Sequence, residues 1–167
     1  MKMTKKSEQH IRSYLKDIEI DSLKDFKSVF KGGKHSVFTN GYSVYLINND
    51  VELQDIKTEK MEQKHIDLFS RVNDMVGKFE DYQIQIKYDN EEIKELIEDA
   101  KRYKQANINR MTIGHKDIDP GFIVQADNIL DGLYGIFEKS EEWKDWILLT
   151  GKYGYCYMLP LNPKNFD

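Results

Sequence analysis

Cysteine, proline and long apolar runs are scarce in this sequence of 167 residues. Its one cysteine, Cys156, cannot form an internal disulfide, so nothing points to an oxidising compartment. Three prolines and ten glycines are too few for a collagenous or linker-rich chain. The apolar runs are far shorter than the ~20 residues that span a bilayer. Residues 1–7 are basic, but no apolar stretch follows them, so we predict no signal peptide, no membrane association and a cytoplasmic location.

The sequence also lacks a dominant charge. Lys and Arg number 25 and Asp and Glu number 29, which leaves a formal net charge of −4. Disorder requires low hydrophobicity together with a large net charge, whereas this chain is 40% hydrophobic and 12% aromatic. Its net negative charge disfavours a general nucleic-acid coat protein, but it does not exclude a local basic face that binds nucleic acid. The length predicts one ordinary domain or two very small ones.

Recognisable catalytic and metal-binding motifs are absent. The four histidines are far apart in the sequence, and Glu62 with His65 is a weak pattern by itself. Residues 32–34 (Gly-Gly-Lys) lack the rest of a phosphate-binding loop. Cys156 lies in an aromatic stretch and is typical of a small core residue. We therefore predict a protein that is not an enzyme and that needs no metal and no cofactor.

The N-terminal third predicts two helices and a hairpin. Apolar residues recur at helical spacing after Ser7, a plausible N-cap, and again over residues 23–30, where Gly32 and Gly33 end the pattern. Residues 35–48 predict a hairpin around Asn40 and Gly41, because type I′ turns need positive φ at both central positions. Tyr42, Val44 and Leu46 should share one face of the second strand, and Tyr45 and Ile47 the other. Residues 1–34 are thus predicted as a helical segment preceding an α+β domain over residues 35–167, the two parts together forming one compact unit.

The remaining sequence alternates between helical and strand patterns. Helices are predicted over residues 61–76, ending at Gly77, over residues 91–105 after an Asp89 or Asn90 cap, and over residues 129–137. Strands are predicted over residues 82–88, 122–126, 146–149 and 153–159, and residues 108–113 are compatible with a short one. Residues 119–121 (Asp-Pro-Gly) predict a turn. No repeat of fixed short period is visible. The fold class is predicted as α+β, an antiparallel sheet packed against helices.

A basic stretch offers a candidate DNA-binding surface. Its members are Lys101, Arg102, Lys104, Arg110 and Lys116. Cations at the end of a helix also complement the helix dipole, so a solvated helix end is the competing interpretation. If the stretch contacts phosphates, Tyr103 would be available to a base or sugar.

Several short segments, in order, resemble bacterial replicative DNA sliding clamps, the polymerase beta subunit. Residues 37–44 resemble that family's Ala-Thr-Asp-Gly-His-Arg-Leu segment, and residues 77–82 its Gly-x-Phe-Pro-Asp-Tyr segment. Residues 122–133 resemble a strand followed by a helix in the last clamp domain, and residues 155–161 the clamp C-terminus with its Val-Met-Pro-Met. Residues 89–104 lie where that domain has its first helix. The chain departs from the family at Asn40, Tyr42, Ser43 and Glu80, and it is less than half as long as a clamp.

The resemblance implies a reduced, single-domain relative of the clamps. Its fold would be a sheet backed by helices, with an internally duplicated βαβββ arrangement whose helices face DNA. It also implies a peptide-binding pocket for polymerase segments. Carried over by position, the pocket residues are Thr39, Tyr42, Val44, Met158, Leu159, Pro160 and Leu161. The alternative is that these residues are ordinary core residues of their strands.

Two functional hypotheses follow. The first is a non-enzymatic clamp-like factor, encoded by a phage or mobile element, that associates with DNA replication. Its expected partners are DNA, a polymerase or other replication protein, and copies of itself, since one domain cannot encircle a duplex. The second is a small protein-interaction or inhibitor module with no DNA role, which the acidic, tyrosine-rich composition also suits.

Overall fold

An eight-stranded sheet organises the chain. The structure, a computed structural model, describes residues 1–84 and 86–163. The helices are α1 (Lys5–Lys16), α2 (Gln63–Val76), α3 (Phe79–Ile84), α4 (Asn90–Gln105) and α5 (Pro120–Ile129), with a 3₁₀ helix at Asp21–Phe26. The strands are β1 (Val29–Lys31), β2 (His35–Thr39), β3 (Ser43–Asn48), β4 (Thr58–Lys60), β5 (Ile86–Lys87), β6 (Met111–Ile113), β7 (Lys116–Ile118), β8 (Leu133–Glu138), β9 (Ile147–Gly151) and β10 (Gly154–Met158). The order of the strands in the sheet is β4-β1-β2-β3-β10-β9-β8-β5. All neighbours pair antiparallel except β4, which pairs with β1 in parallel, so the sheet is mixed and not purely antiparallel as predicted. The arrangement is α+β, as predicted.

The sheet consists of two similar halves. In each half a helix is followed by a three-stranded antiparallel meander, α1 by β1-β2-β3 and α5 by β8-β9-β10. A short β segment also precedes each helix, namely the bridge of Lys2 with Glu52 before α1 and strand β7 before α5. Strands β3 and β10 pair antiparallel, with Tyr45 opposite Cys156. An approximate two-fold axis normal to the sheet therefore relates the halves, although no short-period repeat marks it in the sequence.

Helices cover both faces of this sheet. Buried residues of α1, α4 and α5 join the larger core cluster with Tyr45 and Ile47 of β3, whereas Val44 belongs to a smaller cluster with Val76 and Tyr82. Successive residues of a strand point to opposite faces. The predicted division of β3 is thus confirmed for Val44 and Leu46 on one face and Tyr45 and Ile47 on the other, and both faces are buried. It is wrong for Tyr42, which precedes β3 and lies beside Phe122 of α5.

Local signals identified several elements correctly. The hairpin β2–β3, the end of α2 at Gly77 and the final strand pair β9–β10 are confirmed. The predicted type I′ turn is wrong, because Gly41 has positive φ but Asn40 does not. Helix α4 begins after Asp89, whose side chain accepts from the backbone of Glu92 while the Glu92 side chain accepts from the backbone of Asp89. This reciprocal capping box satisfies two backbone donors that a helix start leaves unpaired.

The prediction for residues 122–137 was wrong, because helix and strand occur there in the opposite order. Asp119 caps α5 by accepting from the Gly121 N–H at 2.8 Å, and Pro120 occupies its first turn. Proline is favoured there because its missing N–H would have no partner in the helix. Residues 119–121 therefore begin a helix instead of forming a separate turn. The chain then turns through Asp131 and Gly132, both with positive φ, into strand β8.

Smaller differences occur at three other elements. Thr4, not Ser7, caps α1, and Ser7 lies inside the helix. Residues 29–31 form strand β1 and not the end of a helix, because they pair with both β2 and β4. Of the strand predicted over residues 82–88, the structure gives the end of α3 and the two-residue strand β5, while Gln85 lies outside the described residues.

The predicted N-terminal segment, residues 1–34, belongs to the same core as the rest of the chain. Met3, Ile11, Tyr14 and Phe30 are buried in the larger cluster together with residues as distant as Met158. Within the described ranges, no helix is long and apolar enough to cross a membrane.

Candidate functional site

The predicted DNA-binding residues lie at the end of α4 and in the segment after it, and most of them are ion-paired. Lys101 Nζ lies 3.3 Å from Glu98, and Arg102 pairs with Asp99. Arg110 lies 3.0 Å from an Asp117 carboxylate oxygen. Pairs one helical turn apart partly neutralise each other, so this end of α4 presents little net positive charge.

Lys116 contradicts its predicted role. Its side chain is buried, with the ammonium 3.0 Å from a carboxylate oxygen of Glu138, and it also donates to the Ser140 carbonyl. The tip of the β6–β7 hairpin reinforces this contact, because the His115 N–H donates to the other Glu138 oxygen at 3.0 Å. Lys116 is therefore a structural counter-ion of Glu138 and cannot reach a phosphate.

The predicted peptide-pocket residues are adjacent in part but do not form one pocket. As expected, the turn of the first hairpin lies beside the C-terminal strand, because the Leu159 N–H donates to the Tyr42 carbonyl at 2.9 Å. However, Thr39, Val44 and Met158 are buried. Met158 is paired with Ser43, the neighbour of Val44, so the side chains of Val44 and Met158 point to opposite faces of the sheet.

The remaining predicted peptide-pocket residues are also mostly buried or packed against the core. Pro160 is buried, Leu159 packs against the smaller cluster, and the Leu161 N–H donates to the Asp117 carbonyl at 2.7 Å. Tyr42 alone of the seven is largely exposed, at 48%. The alternative interpretation, core strand residues, describes Thr39, Val44 and Met158, whereas Pro160 is buried beyond the end of β10.

Tyr42 instead lines a groove of about 480 Å³ between α1 and α5, which we call the α1–α5 groove. The residues of this groove that matter below are His10, Asp17, Glu19, Tyr42, Lys104 and Phe122. The groove thus contains one residue from each predicted set, Tyr42 from the peptide-pocket set and Lys104 from the DNA-binding set.

Antiparallel packing of α1 and α5 sets the shape of the groove. Near the start of α1, the Ser7 hydroxyl donates to the Asn128 carbonyl of α5 at 2.8 Å. Near the end of α1, Tyr14 forms part of the floor, and its hydroxyl donates to the Ser43 carbonyl at 3.0 Å. The end of α1 therefore lies beside the start of α5, where Phe122 projects.

An aromatic pair lies at that end of the groove. The rings of Tyr42 and Phe122 are 6.4 Å apart between centroids and inclined by 27°. The turn that presents Tyr42 is fixed by Asn40, whose side-chain oxygen accepts from the backbone of Tyr42 and Ser43 at 2.9 and 3.0 Å. Gly41 has a φ of 92°, which a side chain would strain. Tyr42 is therefore held in place by its backbone while its ring faces solvent.

The two ends of the groove differ in charge. Lys104 lies near His10, whose pKa is lowered by partial burial and by the positive charges of Lys6 and Lys104. Asp17 and Glu19 lie at the opposite end, beyond the last turn of α1. The groove is therefore basic at one end and acidic at the end that carries the aromatic pair.

The single cysteine does not line this groove. The Cys156 thiol is buried, which raises its pKa, so a thiolate is disfavoured. Across residues 1–84 and 86–163, no group of three or more His, Cys, Asp or Glu side chains could hold a metal ion.

No family model, curated protein or solved structure matches this chain.

Sequence reasoning missed most of the groove because it placed residues 122–126 in a strand. In a helix, Phe122 and Gln125 share one face, while Ile123 and Ala126 share the buried one. The helical spacing of Ile123, Ala126 and Ile129 could have revealed this. Asp17 and Glu19 carry no local signal, since their position beside Tyr42 depends on tertiary packing.

Proposed function

We propose that this chain is a non-enzymatic binding protein that holds a segment of a partner protein in the α1–α5 groove. The observation that supports this most is the exposed Tyr42 ring, paired with Phe122 in an open groove and fixed by a rigid turn. Rigid exposed aromatic residues in concave surfaces are typical centres of binding energy. As the sliding-clamp resemblance implies, the proposed partner is a polymerase or other replication protein.

The duplicated architecture supports the clamp-like version of this proposal. Each half has the order expected from the resemblance, a short β segment, a helix and three antiparallel strands, and the two helices pack side by side. One resembling segment gives no support, because residues 122–133 form a helix and then a strand, the reverse of the clamp pattern. A DNA-encircling role would also require several copies of this chain to associate.

The second candidate, an interaction or inhibitor module with no DNA role, is favoured by the charges of α4. Lys101 and Arg102 are paired with Glu98 and Asp99, and Lys116 is buried against Glu138. Few cations of the predicted DNA-binding set are therefore available to phosphates.

Charge reversal at α4 distinguishes the two candidates. The variant Lys101→Glu/Arg102→Glu/Lys104→Glu is compared with Lys27→Glu/Lys57→Glu/Lys60→Glu, which reverses three exposed lysines elsewhere. The clamp-like version predicts salt-dependent binding of duplex DNA, in a fluorescence anisotropy titration, that only the first variant abolishes. Absence of DNA binding by the unmodified chain at low salt would support the module with no DNA role.

The role of the groove in binding is tested by comparing alanine variants of two exposed tyrosines, one inside the groove and one outside it. Peptides selected from a displayed random library against the full chain should bind Tyr42→Ala about 30-fold more weakly, the loss expected for a binding hot spot of about 2 kcal/mol. Tyr134→Ala is the matched control, because Tyr134 is 62% exposed but does not line the groove. Equal binding by both variants would place the partner site elsewhere.

A further inference from the structure

The acidic end of the α1–α5 groove contains negative charge without a protein counter-ion. Asp17 is the C-cap of α1, where the helix dipole is already negative, and Glu19 follows two residues later. Both side chains are exposed, and no lysine or arginine of the described chain forms an ion pair with either. The last-turn cation of α1, Lys16, lines a different depression and not this groove. This end of the groove is therefore electrostatically complementary to a cation.

The aromatic pair restricts the kind of cation that fits. The turn carrying Tyr42 lies against the segment that follows Glu19, since a side-chain carbon at Gly41 would come 2.8 Å from Ile20. Tyr42, Asp17 and Glu19 therefore line the same part of the groove. A planar guanidinium can stack on an aromatic ring and at the same time donate to carboxylates at its edge, whereas an ammonium is a strongly hydrated point charge. The chemistry favours arginine over lysine.

The other end of the groove adds a second constraint. Lys104 is exposed beside His10, with Lys6 on the same side. His10 and Asp17 are about two helical turns apart, or about 10 Å, a distance that an extended peptide covers in about three residues. A carboxylate placed about three residues from the arginine would therefore lie opposite Lys104.

We propose that the groove binds an extended peptide segment containing an arginine and, about three residues away, an acidic residue. This inference rests on the proposed function. The arginine side chain lies on Tyr42 with its guanidinium between Asp17 and Glu19. The acidic side chain pairs with Lys104. The aromatic contact supplies affinity, and the two charged ends fix the direction of the peptide in the groove.

The experiment is a positional-scanning library of end-blocked hexapeptides tested on the full chain by fluorescence anisotropy. Arginine should be preferred over lysine at one position, and aspartate or glutamate about three positions away. For the best peptide, Asp17→Asn/Glu19→Gln should weaken binding tenfold or more, as expected for loss of charged hydrogen bonds of about 1.5–3 kcal/mol. Lys104→Ala should remove the acidic preference and leave the arginine preference intact.

Controls separate this inference from the proposal on which it rests. Glu59→Gln/Asp74→Asn removes two exposed carboxylates that do not line the groove, and it should leave binding unchanged. Peptides that need Tyr42 but show no arginine preference would overturn the arginine inference and keep the groove as the partner site. Peptide binding that is insensitive to Tyr42→Ala, or no binding at about 1 mM peptide, would overturn both. Binding only of a second copy of the chain, detected by light scattering, would contradict the peptide occupant.

Discussion

At the residue scale, Glu138 is the most consequential buried group. Its carboxylate accepts from the Lys116 ammonium and from the His115 backbone, and it lies 3.1 Å from the His115 ring nitrogen Nδ1. The nearby Tyr88 hydroxyl has a pKa raised to about 12, first by burial and then by the Glu138 charge. These contacts fasten the β6–β7 hairpin to β8, because they join its tip to the end of that strand.

Removing one member of the buried pair should therefore be costly. We expect Lys116→Met to lower the free energy of unfolding by about 3–5 kcal/mol, because it leaves the Glu138 charge buried without its ammonium partner. Lys94→Met, at an exposed position of α4, should change it by less than about 0.5 kcal/mol. Urea denaturation followed by circular dichroism measures both values. A loss below about 1 kcal/mol at Lys116 would show that the pair is dispensable.

Two histidines predict a pH dependence of stability. The pKa of His10 is lowered by burial and by Lys6 and Lys104, and that of His35 by burial and by Lys34. Because both pKa values fall below the ordinary 6.5, the unfolded chain binds more protons there. Their contribution is complete above pH 6.5 and is lost as the pH falls from that value through the lower folded-state pKa values.

The check compares urea denaturation of the unmodified chain and of His10→Gln/His35→Gln at about pH 8 and about pH 5.5, above the range in which ordinary carboxylates titrate. The unmodified chain should lose more stability between these conditions than the double variant. Equal losses would mean that neither histidine is linked to folding.

At the element scale, α5 decides the position of the groove. It begins at Asp119 and Pro120, carries Phe122 towards Tyr42, and buries Ile123 and Ala126 against the sheet. A short run such as Phe-Ile-Val-Gln-Ala is compatible with a buried strand or a buried helix by its pattern alone. The cap and the packing against α1 and α4 decide in favour of the helix.

The Asp119 cap should be measurable as an element-scale contribution. Asp119→Ala should lower the free energy of unfolding by about 1 kcal/mol, because the Gly121 N–H loses its acceptor. Asp119→Ser should restore most of this loss, since serine is also a good N-cap. Thermal or urea denaturation of both variants is the measurement. A serine variant as unstable as the alanine variant would assign the effect to charge and not to capping.

At the scale of the whole molecule, the N-terminal segment and the sheet share one core. Residues 1–34 supply α1, the 3₁₀ helix and strand β1, and β1 pairs with both β2 and β4. Buried Ile11, Tyr14 and Phe30 would leave a large cavity in the larger cluster if they were removed. Residue 34 therefore separates two parts of the sequence, but residues from both parts belong to one hydrophobic core.

We accordingly expect a single cooperative transition for the full chain. A fragment of residues 35–167 should lack the near-ultraviolet circular dichroism of packed aromatic residues, since large-to-small changes at even one core site typically cost about 2–5 kcal/mol. Differential scanning calorimetry of the full chain and spectra of the fragment provide the test. A folded fragment, or two separate transitions, would support the two-part division instead.

The sequence by itself determined those elements whose signals are local. Asn40 and Gly41 specify the hairpin turn, Gly77 ends α2, and Asp89 with Glu92 caps α4, because turn conformation and capping depend on residues a few positions apart. The α+β class follows from the same signals.

Only the tertiary structure decided which groups meet across the chain. The burial of Lys116 depends on its ion pair with Glu138, which compensates the charges of both side chains. The place of Tyr42 in the groove depends on α5, which positions Phe122 beside it. The pairing of β3 with β10 likewise joins two halves that carry no short repeat. Such contacts depend on how charge and apolar area are buried between distant segments, and no pattern within one segment specifies them.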